Sequence, residues 1–180
     1  MSETTAAKPF CSVNIATSLD GFIARPDGAI DWLAIAEREG EDYGFAEFFL
    51  SVDTMIIGRK TWQTVLGFPE WPYYGKRVVV MSSEAHAGTH GEIFHAGPPA
   101  VVIEALRLDG AKQVYIDGGT TIRSFLAAGI VDDLTVSVIP VLLGQGIPLF
   151  GEGVPLAPLA LASSQSFESG VVQMKYAVTH

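Results

Sequence analysis

The sequence has little cysteine and no histidine pattern typical of a metal site. Cys11 is its single cysteine, so no disulfide can form within the chain, and we expect a cytoplasmic protein. Cys11 lies in a strand-like run, where a small buried apolar residue is a better interpretation than a nucleophile. The histidines do not have the spacing of metal ligands, and we therefore expect no metal. They are His86, His90, His95 and His180.

Positive charge is also scarce. Eleven lysines and arginines stand against 20 acidic residues, which leaves a net charge of −9. An acidic chain repels polyanions, so neither nucleic acid nor an anionic membrane surface is an expected partner. A small anion can still bind where basic residues gather locally.

Long apolar stretches and an apolar leader are missing as well. Residues 130–150 form the longest apolar region, but Asp132, Asp133 and Pro140 interrupt it, so we expect no membrane span. Residues 1–8 are small and polar, unlike a signal peptide. With 48% hydrophobic and 17% charged residues the chain can form a large core. We expect residues 1–9 to be a disordered tail and residues 10–180 to be a single domain.

Strand and helix patterns alternate along the chain. Runs rich in β-branched residues predict strands at residues 10–17, 54–57, 77–81, 92–95, 113–116 and 134–139. Helical spacing predicts helices at residues 30–37, 42–52, 60–66, 98–108 and 121–128, with Asp31 and Asp42 as caps of the first two. Residues 160–167 and 171–178 predict a hairpin. The whole predicts an α/β fold, with a mixed, mostly parallel central sheet flanked by helices and a C-terminal antiparallel hairpin.

The turn after the strand at residues 54–57 is a candidate anion site. Gly58 permits a sharp turn or the close approach of a ligand. Arg59, Lys60 and Thr61 then open a predicted helix, whose free N–H groups and dipole favour negative charge. A charged surface turn between a strand and a helix gives the same pattern, so both interpretations remain open.

Two other strand ends carry similar chemistry. Ser82 and Ser83 follow the strand at residues 77–81, and residues 117–121 (DGGTT) form another strand-to-helix turn. Adjacent glycines expose N–H groups to a pyrophosphate, although tight packing of a helix on a strand explains them as well. The carboxyl ends of parallel strands meet at one edge of a sheet. The three ends together predict an extended ligand with several phosphates, such as a dinucleotide.

Five motifs in this order resemble the dihydrofolate reductase-like superfamily. The most similar branch contains the C-terminal reductase domain of the bifunctional riboflavin-biosynthesis deaminase-reductases. The motifs span almost the whole chain from Phe10 onward, and they are residues 18–24 (SLDGFIA), 57–62 (IGRKTW), 78–83 (VVVMSS), 116–119 (IDGG) and 139–150 (IPVLLGQGIPLF).

The resemblance implies a dihydrofolate-reductase-like sheet and an NADPH-dependent reductase. The implied substrate is a small heterocycle or imine, similar to a riboflavin-pathway pyrimidine or to a pterin. The implied cofactor-binding residues are Ala16, Gly21, Phe22, Ile23, Gly58, Arg59, Lys60, Thr61, Met81, Ser82, Ser83, Ile116, Asp117, Gly118, Gly119, Thr120 and Thr121.

Among these residues, the resemblance assigns the adenosine end of the cofactor to two motifs. Arg59 and Lys60 would neutralise the 2′-phosphate or the pyrophosphate, and Thr61 would donate a hydrogen bond to the pyrophosphate. Ser82 and Ser83 would lie beside the adenosine ribose.

The resemblance assigns the rest of the cofactor to the glycine turn and to the first strand. Residues 118–121 would hold the pyrophosphate, while Ala16 and residues 21–23 would lie against the nicotinamide and cover it. The chain departs from the family at Glu84, where many members have an arginine that selects the 2′-phosphate. The expected preference for NADPH over NADH therefore depends on Arg59 and Lys60.

Hydride transfer also requires a proton source, and the resemblance implies Asp42. Its position suits the N-cap of a helix equally well. Asp20 and Asp31 are rivals for the catalytic role. Asp20 either fixes its loop or meets the substrate, and Asp31 beside Trp32 would lie near the nicotinamide end.

The sequence leaves three further questions open. The aromatic residues of loop 67–75 could line a pocket for a flat ring, or belong to the core or to a dimer surface. Residues 136–143 and the terminal hairpin could pair two subunits into a homodimer, or pack internally. A non-catalytic nucleotide-binding protein with the same fold is an alternative to a reductase, as is a different enzyme on the same sheet.

Overall fold

An eight-stranded sheet forms the centre of the protein in a computed structural model that describes residues 7–84 and 86–179. A separate ribbon pairs two shorter strands. In chain order the strands are β1 (Phe10–Ser18), β2 (Phe22–Ala24), β3 (Thr54–Gly58), β4 (Arg77–Met81), β5 (Ile93–His95), β6 (Gln113–Asp117), β7 (Asp133–Ile139), β8 (Ile147–Pro148), β9 (Leu159–Ser166) and β10 (Val172–Val178). The helices are α1 (Phe45–Ser51), α2 (Arg59–Val65), α3 (Pro99–Leu108) and α4 (Gly119–Ala127), and a 3-10 helix spans Asp31–Ala36.

The strand order of the large sheet is β5-β4-β3-β6-β1-β7-β10-β9. The first six strands are parallel, and the hairpin of β10 and β9 continues the sheet antiparallel to β7. β2 and β8 form the separate antiparallel ribbon. This topology confirms the predicted α/β fold with a mixed, mostly parallel sheet and a C-terminal hairpin. It also places the turns after β3 and β6 side by side.

Helices α3 and α4 cover one face of the sheet. Their apolar side chains pack against Val13, Ile56, Val79 and Ile116 from four neighbouring strands. These strands are almost continuous apolar runs because both of their faces are buried. Cys11 lies in this core with no exposed surface, and burial raises the pKa of its thiol to about 12.

The opposite face is covered unevenly. Over β3 and β4, α2 packs through Trp62 and Val65 onto Met55, Ile57 and other strand residues. Over β1 and β7 the cover is the 3-10 helix, which packs through Trp32 and Ala36. A short helix covers less of the sheet than a long one, and a pocket lies beneath it.

Two details of the secondary structure differ from the prediction. The cap assigned to Asp31 is wrong, because the 3-10 helix begins after Ile30 without a side-chain cap and the Asp31 carboxylate binds Arg25 instead. The short strands β2 and β8 lie in segments for which no strand was predicted.

Residues 1–6, Ala85 and His180 lie outside the described part of the chain. The predicted tail at residues 1–9 therefore falls mainly on residues that are not described. Within it, Lys8 Nζ donates hydrogen bonds of 2.9 Å to the Ile130 carbonyl oxygen and to Asp132 Oδ1. Between residues 7 and 179, Ala85 aside, no helix has the length and apolar character needed to cross a bilayer.

Candidate functional site

Two strand-to-helix turns interlock at the carboxyl edge of the sheet. One joins β3 to α2 at Gly58, and the other joins β6 to α4 at Gly118. A β-carbon built on Gly58 would lie 2.8 Å from Thr121 Oγ1, and one built on Gly118 would lie 2.6 Å from Thr61 Oγ1. In each turn, a threonine therefore fills the space that a side chain in place of the other turn's glycine would need. Gly118 has φ of 94°, which also favours glycine.

The interlocked turns bring the predicted phosphate-binding segments into one site. The first N–H groups of α4, at residues 119–121, have no acceptor within the helix, so they are available to an anion. Arg59 and Lys60 begin α2 on the adjacent turn, and Lys60 is exposed to solvent. The site combines free amides, threonine hydroxyls and two cations, a donor set that suits phosphate oxygens.

The end of β4 adds the serines and an ion pair. Met81 pairs in register with Gly58, so Ser82 follows next to the first turn. Ser82 Oγ donates to the Glu84 carbonyl oxygen at 3.0 Å and accepts from the Glu84 N–H at 3.1 Å. The Glu84 side chain then reaches Arg59, with 2.8 Å between Oε2 and Nη1. The residue that departs from the family pattern thus lies directly on the cation predicted to select the cofactor.

The ribbon of β2 and β8 lies against the glycine turn. A β-carbon on Gly119 would come within 2.8 Å of Ile23 Cδ1. Arg123 Nη1 donates a 2.6 Å hydrogen bond to the Pro148 carbonyl oxygen, which ties α4 to β8. The loop at residues 21–23 therefore covers this end of the site, where the sequence predicted a covering loop.

Asp20 holds that loop in place. Its Oδ1 accepts a 2.6 Å hydrogen bond from the Ser18 hydroxyl, and its Oδ2 accepts one of 2.7 Å from the Gly144 N–H. These bonds, led by that from Ser18, keep the pKa of Asp20 below its ordinary value. Of the two roles predicted for Asp20, the geometry supports fixing the loop.

A pocket of about 370 Å³ opens on the face of β1 and β7 beneath the 3-10 helix. Ala16 of β1 lies in its floor and Tyr115 of β6 in its side. Asp117 is two residues beyond Tyr115 on the same strand, so it belongs to the same face of the sheet. The pocket and the turns predicted to bind phosphate are thus joined through β1 and β6.

Three uncharged polar residues form a row across the pocket floor. Asn14 of β1, Ser137 of β7 and Gln173 of β10 all line it. Gln173 Nε2 donates 3.0 Å hydrogen bonds to Ser137 Oγ and to the Tyr43 carbonyl oxygen. The side-chain amide of Asn14 has no hydrogen-bond partner within residues 7–84 and 86–179. Sequence reasoning missed these residues, although a polar side chain inside an otherwise apolar strand was the available signal.

Tyr43 forms a wall of the pocket in an unusual backbone conformation. Its φ is 57°, a left-handed value that is uncommon for tyrosine. Its hydroxyl contacts the Ala36 carbonyl oxygen and lies 2.9 Å from Ser169 Oγ. Its ring packs edge-on against Phe167 at 4.9 Å. Contacts from the 3-10 helix and the terminal hairpin therefore hold this residue, which the sequence did not identify.

The two remaining catalytic candidates differ in position. Asp42 lines the pocket, but its carboxylate accepts hydrogen bonds from the N–H groups of Ala46 at 2.9 Å and Gly44 at 3.0 Å. These bonds keep its pKa below the ordinary value, but the predicted N-cap position is wrong, because α1 begins at Phe45 and its N-cap is Gly44. Asp31 lies outside the pocket lining, and its ion pair with Arg25 at 2.7 Å lowers its pKa.

Asp117 behaves differently from these exposed carboxylates. Burial raises the pKa of its carboxyl group above the ordinary value, and a hydrogen bond from the Gly118 N–H offsets only part of that effect. The raised pKa keeps a larger protonated fraction near neutral pH than at Asp20, Asp31 or Asp42. The sequence placed Asp117 with the cofactor and gave it no proton-transfer role.

The aromatic loop at residues 67–75 contributes nothing to the pocket lining. Tyr73 is buried in the core under α2, whereas Tyr74 is 89% exposed. Trp71 stacks on His90 with 4.3 Å between ring centroids. Of the alternatives left open for this loop, the structure favours a place in the core, because Tyr73 is buried there and Trp71 packs against the same cluster. Within the described residues, no group of three or more His, Cys, Asp or Glu side chains could hold a metal ion.

Comparisons with known proteins agree with this geometry. The family described as the RibD C-terminal domain matches residues 9–173. The uncharacterized Bacillus subtilis (strain 168) protein YwjB is 37% identical over 166 residues, covering 90% of this chain and 94% of its own length. A Shewanella sp. PV-4 structure, provisionally named a riboflavin biosynthesis protein, has a TM-score of 0.88 at 34% identity and covers 95% of this chain and 99% of that one.

A more distant structure shares the fold alone. It is the Thermotoga maritima diaminohydroxyphosphoribosylaminopyrimidine deaminase/5-amino-6-(5-phosphoribosylamino)uracil reductase, with a TM-score of 0.73 at 16% identity. The match covers 96% of this chain and 57% of the Thermotoga chain.

Proposed function

Because the chain belongs to the RibD C-terminal domain family, we propose that it is an NADPH-dependent reductase of a small heterocyclic or imine-type substrate. The observation that carries the proposal is the interlocking of the Gly58 and Gly118 turns beside the pocket of β1 and β7. A dinucleotide on these turns would direct its other end toward Ala16, in the pocket floor. Relatives named for riboflavin biosynthesis and for uracil reduction support the same reaction class.

Each part of the site has a role in holding the cofactor. Residues 119–121 would bind the pyrophosphate with backbone N–H groups, assisted by the hydroxyl of Thr61, and Gly118 would permit its close approach. Arg59, Lys60 and Ser82 would surround the adenosine phosphate and ribose. Residues 21–23, with Asp20 fixing their loop, would cover the nicotinamide and exclude water.

NADPH supplies the hydride, and the protein has to orient the acceptor and provide a proton. The polar row of Asn14, Ser137 and Gln173 would fix the acceptor by hydrogen bonds across the pocket floor. We assign the proton to the Asp117 carboxyl, because burial raises its pKa and it lies two residues beyond the pocket residue Tyr115 on the same face of the sheet. Asp42 would stay ionised and accept hydrogen bonds from the N–H groups at the start of α1.

An activity assay tests the proposal. NADPH absorbance is followed with 5-amino-6-(5-phosphoribosylamino)uracil, with its dephosphorylated form and with a dihydropterin as acceptors. We expect acceptor-dependent oxidation of NADPH that is strongly reduced in Arg59→Ala. Lys112→Ala is the matched control, because Lys112 is an exposed cation at the amino end of β6, on the opposite edge of the sheet. Binding of NADPH without oxidation by any acceptor would instead favour the non-catalytic nucleotide-binding protein.

We also propose that two chains associate through the terminal hairpin. Every residue of the edge strand β9 is exposed, and Leu159, Leu161 and the neighbouring Val172 present apolar surface to solvent. An exposed apolar edge strand favours pairing with another chain. Residues 136–139 belong instead to the buried strand β7, so internal packing accounts for that part of the predicted dimer surface.

A further inference from the structure

The mouth of the substrate pocket is acidic. Glu37, Arg38, Glu41 and Asp42 line it, so three carboxylates stand against one guanidinium. The chain between them adds Glu39, which is exposed. A ligand that enters this pocket therefore passes a negatively charged rim.

The single cation of this rim is engaged with the backbone. Arg38 Nη1 donates to the Glu37 carbonyl oxygen at 2.6 Å and lies 3.3 Å from the Ile35 carbonyl oxygen. An arginine that binds a phosphate usually presents two parallel N–H groups to it. Here one edge of the guanidinium is directed at main-chain oxygens, and acidic residues flank it on both sides.

The acidic side chains, in contrast, are not paired with a cation in the part of the chain that the structure describes. Asp42 accepts hydrogen bonds from the backbone, which stabilise its ionised form, and Glu41 Oε1 accepts one of 2.7 Å from the Tyr43 N–H. Among the described residues the Glu37 carboxylate has no hydrogen-bond or ion-pair partner. The rim thus carries a net negative charge, and the Glu37 carboxylate is available to act on a ligand.

The pocket floor, by comparison, carries no charge. The free amide of Asn14 can donate and accept at once, as the N–H and C=O edge of a cyclic amide requires. Gln173 uses its Nε2 on Ser137 and Tyr43, which leaves its Oε1 as an acceptor and the Ser137 hydroxyl proton as a donor. The floor therefore suits a flat, uncharged ring with amide edges.

On this basis we infer that the substrate is a neutral, amide-bearing heterocycle without a phosphate group. The inference rests on the proposed reductase function and narrows its substrate class. It separates this chain from the Thermotoga maritima enzyme, whose name specifies a phosphoribosyl substrate. A dianionic phosphate at the rim would meet like charge, which lowers affinity and makes it dependent on salt.

The probes are 5-amino-6-(5-phosphoribosylamino)uracil and its dephosphorylated form. We measure the dissociation constant of each for the full chain by calorimetry, with and without NADPH, at low and high ionic strength. We expect the dephosphorylated form to bind about tenfold more tightly at low salt, and the phosphorylated form to bind more tightly as salt rises. Tighter binding of the phosphorylated form at low salt would overturn the inference, and so would no binding of either compound.

A charge reversal sharpens the test. Glu37→Lys should tighten binding of the phosphorylated form by about tenfold and leave the dephosphorylated form within about twofold. Glu70→Lys, in a loop away from the pocket, makes the same change of net charge and should alter neither. Equal responses to the two variants would contradict a role for the rim. If NADPH fails to bind while the selectivity between the two ring compounds is observed, the reductase proposal fails and the pocket is shown to select an uncharged ring as a ligand.

Discussion

At the scale of single residues, the proposed preference for NADPH over NADH depends on one contact. The ion pair of Arg59 with Glu84 occupies the guanidinium that would otherwise meet a 2′-phosphate. Both side chains are largely exposed, at 41% and 61%, so the pair itself is weak and a phosphate can compete for it.

Removing the Glu84 charge should therefore favour NADPH. We expect Glu84→Gln to tighten NADPH binding by about fivefold while NADH binding stays nearly constant, because only NADPH carries the competing phosphate. Titration of both cofactors against wild type and variant measures the change. An equal gain for NADPH and NADH would mean that Glu84 acts through the general charge of the site and not through Arg59.

A substitution of Asp117 should lower turnover without weakening cofactor binding. Asp117→Asn keeps the shape of the side chain but cannot supply a proton, so we expect turnover to fall by about a hundredfold with little change in the dissociation constant of NADPH. Asp42→Asn is the matched variant and should keep its turnover while lowering the melting temperature, because an amide has one acceptor oxygen for the two N–H groups that the carboxylate binds. If turnover falls with Asp42→Asn and not with Asp117→Asn, the two assignments are reversed.

The raised pKa of Asp117 also predicts how the free energy of unfolding depends on pH. The pKa of Asp117 is raised on folding, so the folded protein binds more protons than the unfolded chain between the ordinary and the raised pKa. Stability from this residue is fully present below the ordinary pKa of aspartate and is lost as pH rises through the raised pKa. We expect Asp117→Asn to be more stable than wild type near neutral pH, and the difference to disappear in acid. Chemical denaturation at several pH values measures it, and a difference that stays constant with pH would contradict the raised pKa.

At the scale of the elements, strands were easier to predict than their connections. Strand β4 matches the predicted residues 77–81, because both faces of it are buried and its residues are apolar and β-branched. The ribbon of β2 and β8 was missed because strands of three and two residues are too short to show a periodicity. Asp31 fits the sequence pattern of a cap, but a strong partner, Arg25, lies six residues earlier.

The contact between the two turns gives a prediction at this scale. Gly58 has an ordinary φ of −79°, so Gly58→Ala should destabilise the protein by contact alone, by about 1–3 kcal/mol. The companion change Thr121→Ala removes the Oγ1 that a β-carbon would meet, so the double variant should recover part of the loss. Gly151→Ala is the control, because its β-carbon would lie at least 3.8 Å from the nearest side-chain atoms. If the stability losses of the two single variants simply add in the double variant, the two turns are not in contact.

At the scale of the whole molecule, the glycine turns at the carboxyl edge of the sheet were predictable from the sequence, and the residues of the pocket were not. The segments at residues 58–61 and 118–121 are each continuous in sequence, and parallel strands bring such segments to one edge by topology. Asn14, Ser137 and Gln173 lie far apart in the chain and meet only through the register of β1, β7 and β10. A single sequence does not fix that register, so their convergence had no local signature.

The exposed edge strand gives the prediction for assembly. Leu161 is 58% exposed on β9, and Leu161→Lys would place a charge where a second chain is proposed to pair. We expect wild type to sediment as a dimer and the variant as a monomer that keeps its circular dichroism spectrum. A wild-type protein that is monomeric at all concentrations would exclude the dimer.

The central claim is that the interlocked turns bind NADPH, and thermal unfolding with saturating NADPH tests it most directly. A ligand that binds only the native state stabilises it, by about 2.7 kcal/mol at a concentration one hundred times the dissociation constant. We predict a rise of several degrees in the melting temperature of the wild type, a smaller rise with NADH, and a much smaller response to NADPH in Arg59→Ala. An unchanged melting temperature with NADPH, or an equal rise in Arg59→Ala and wild type, would contradict the proposed site.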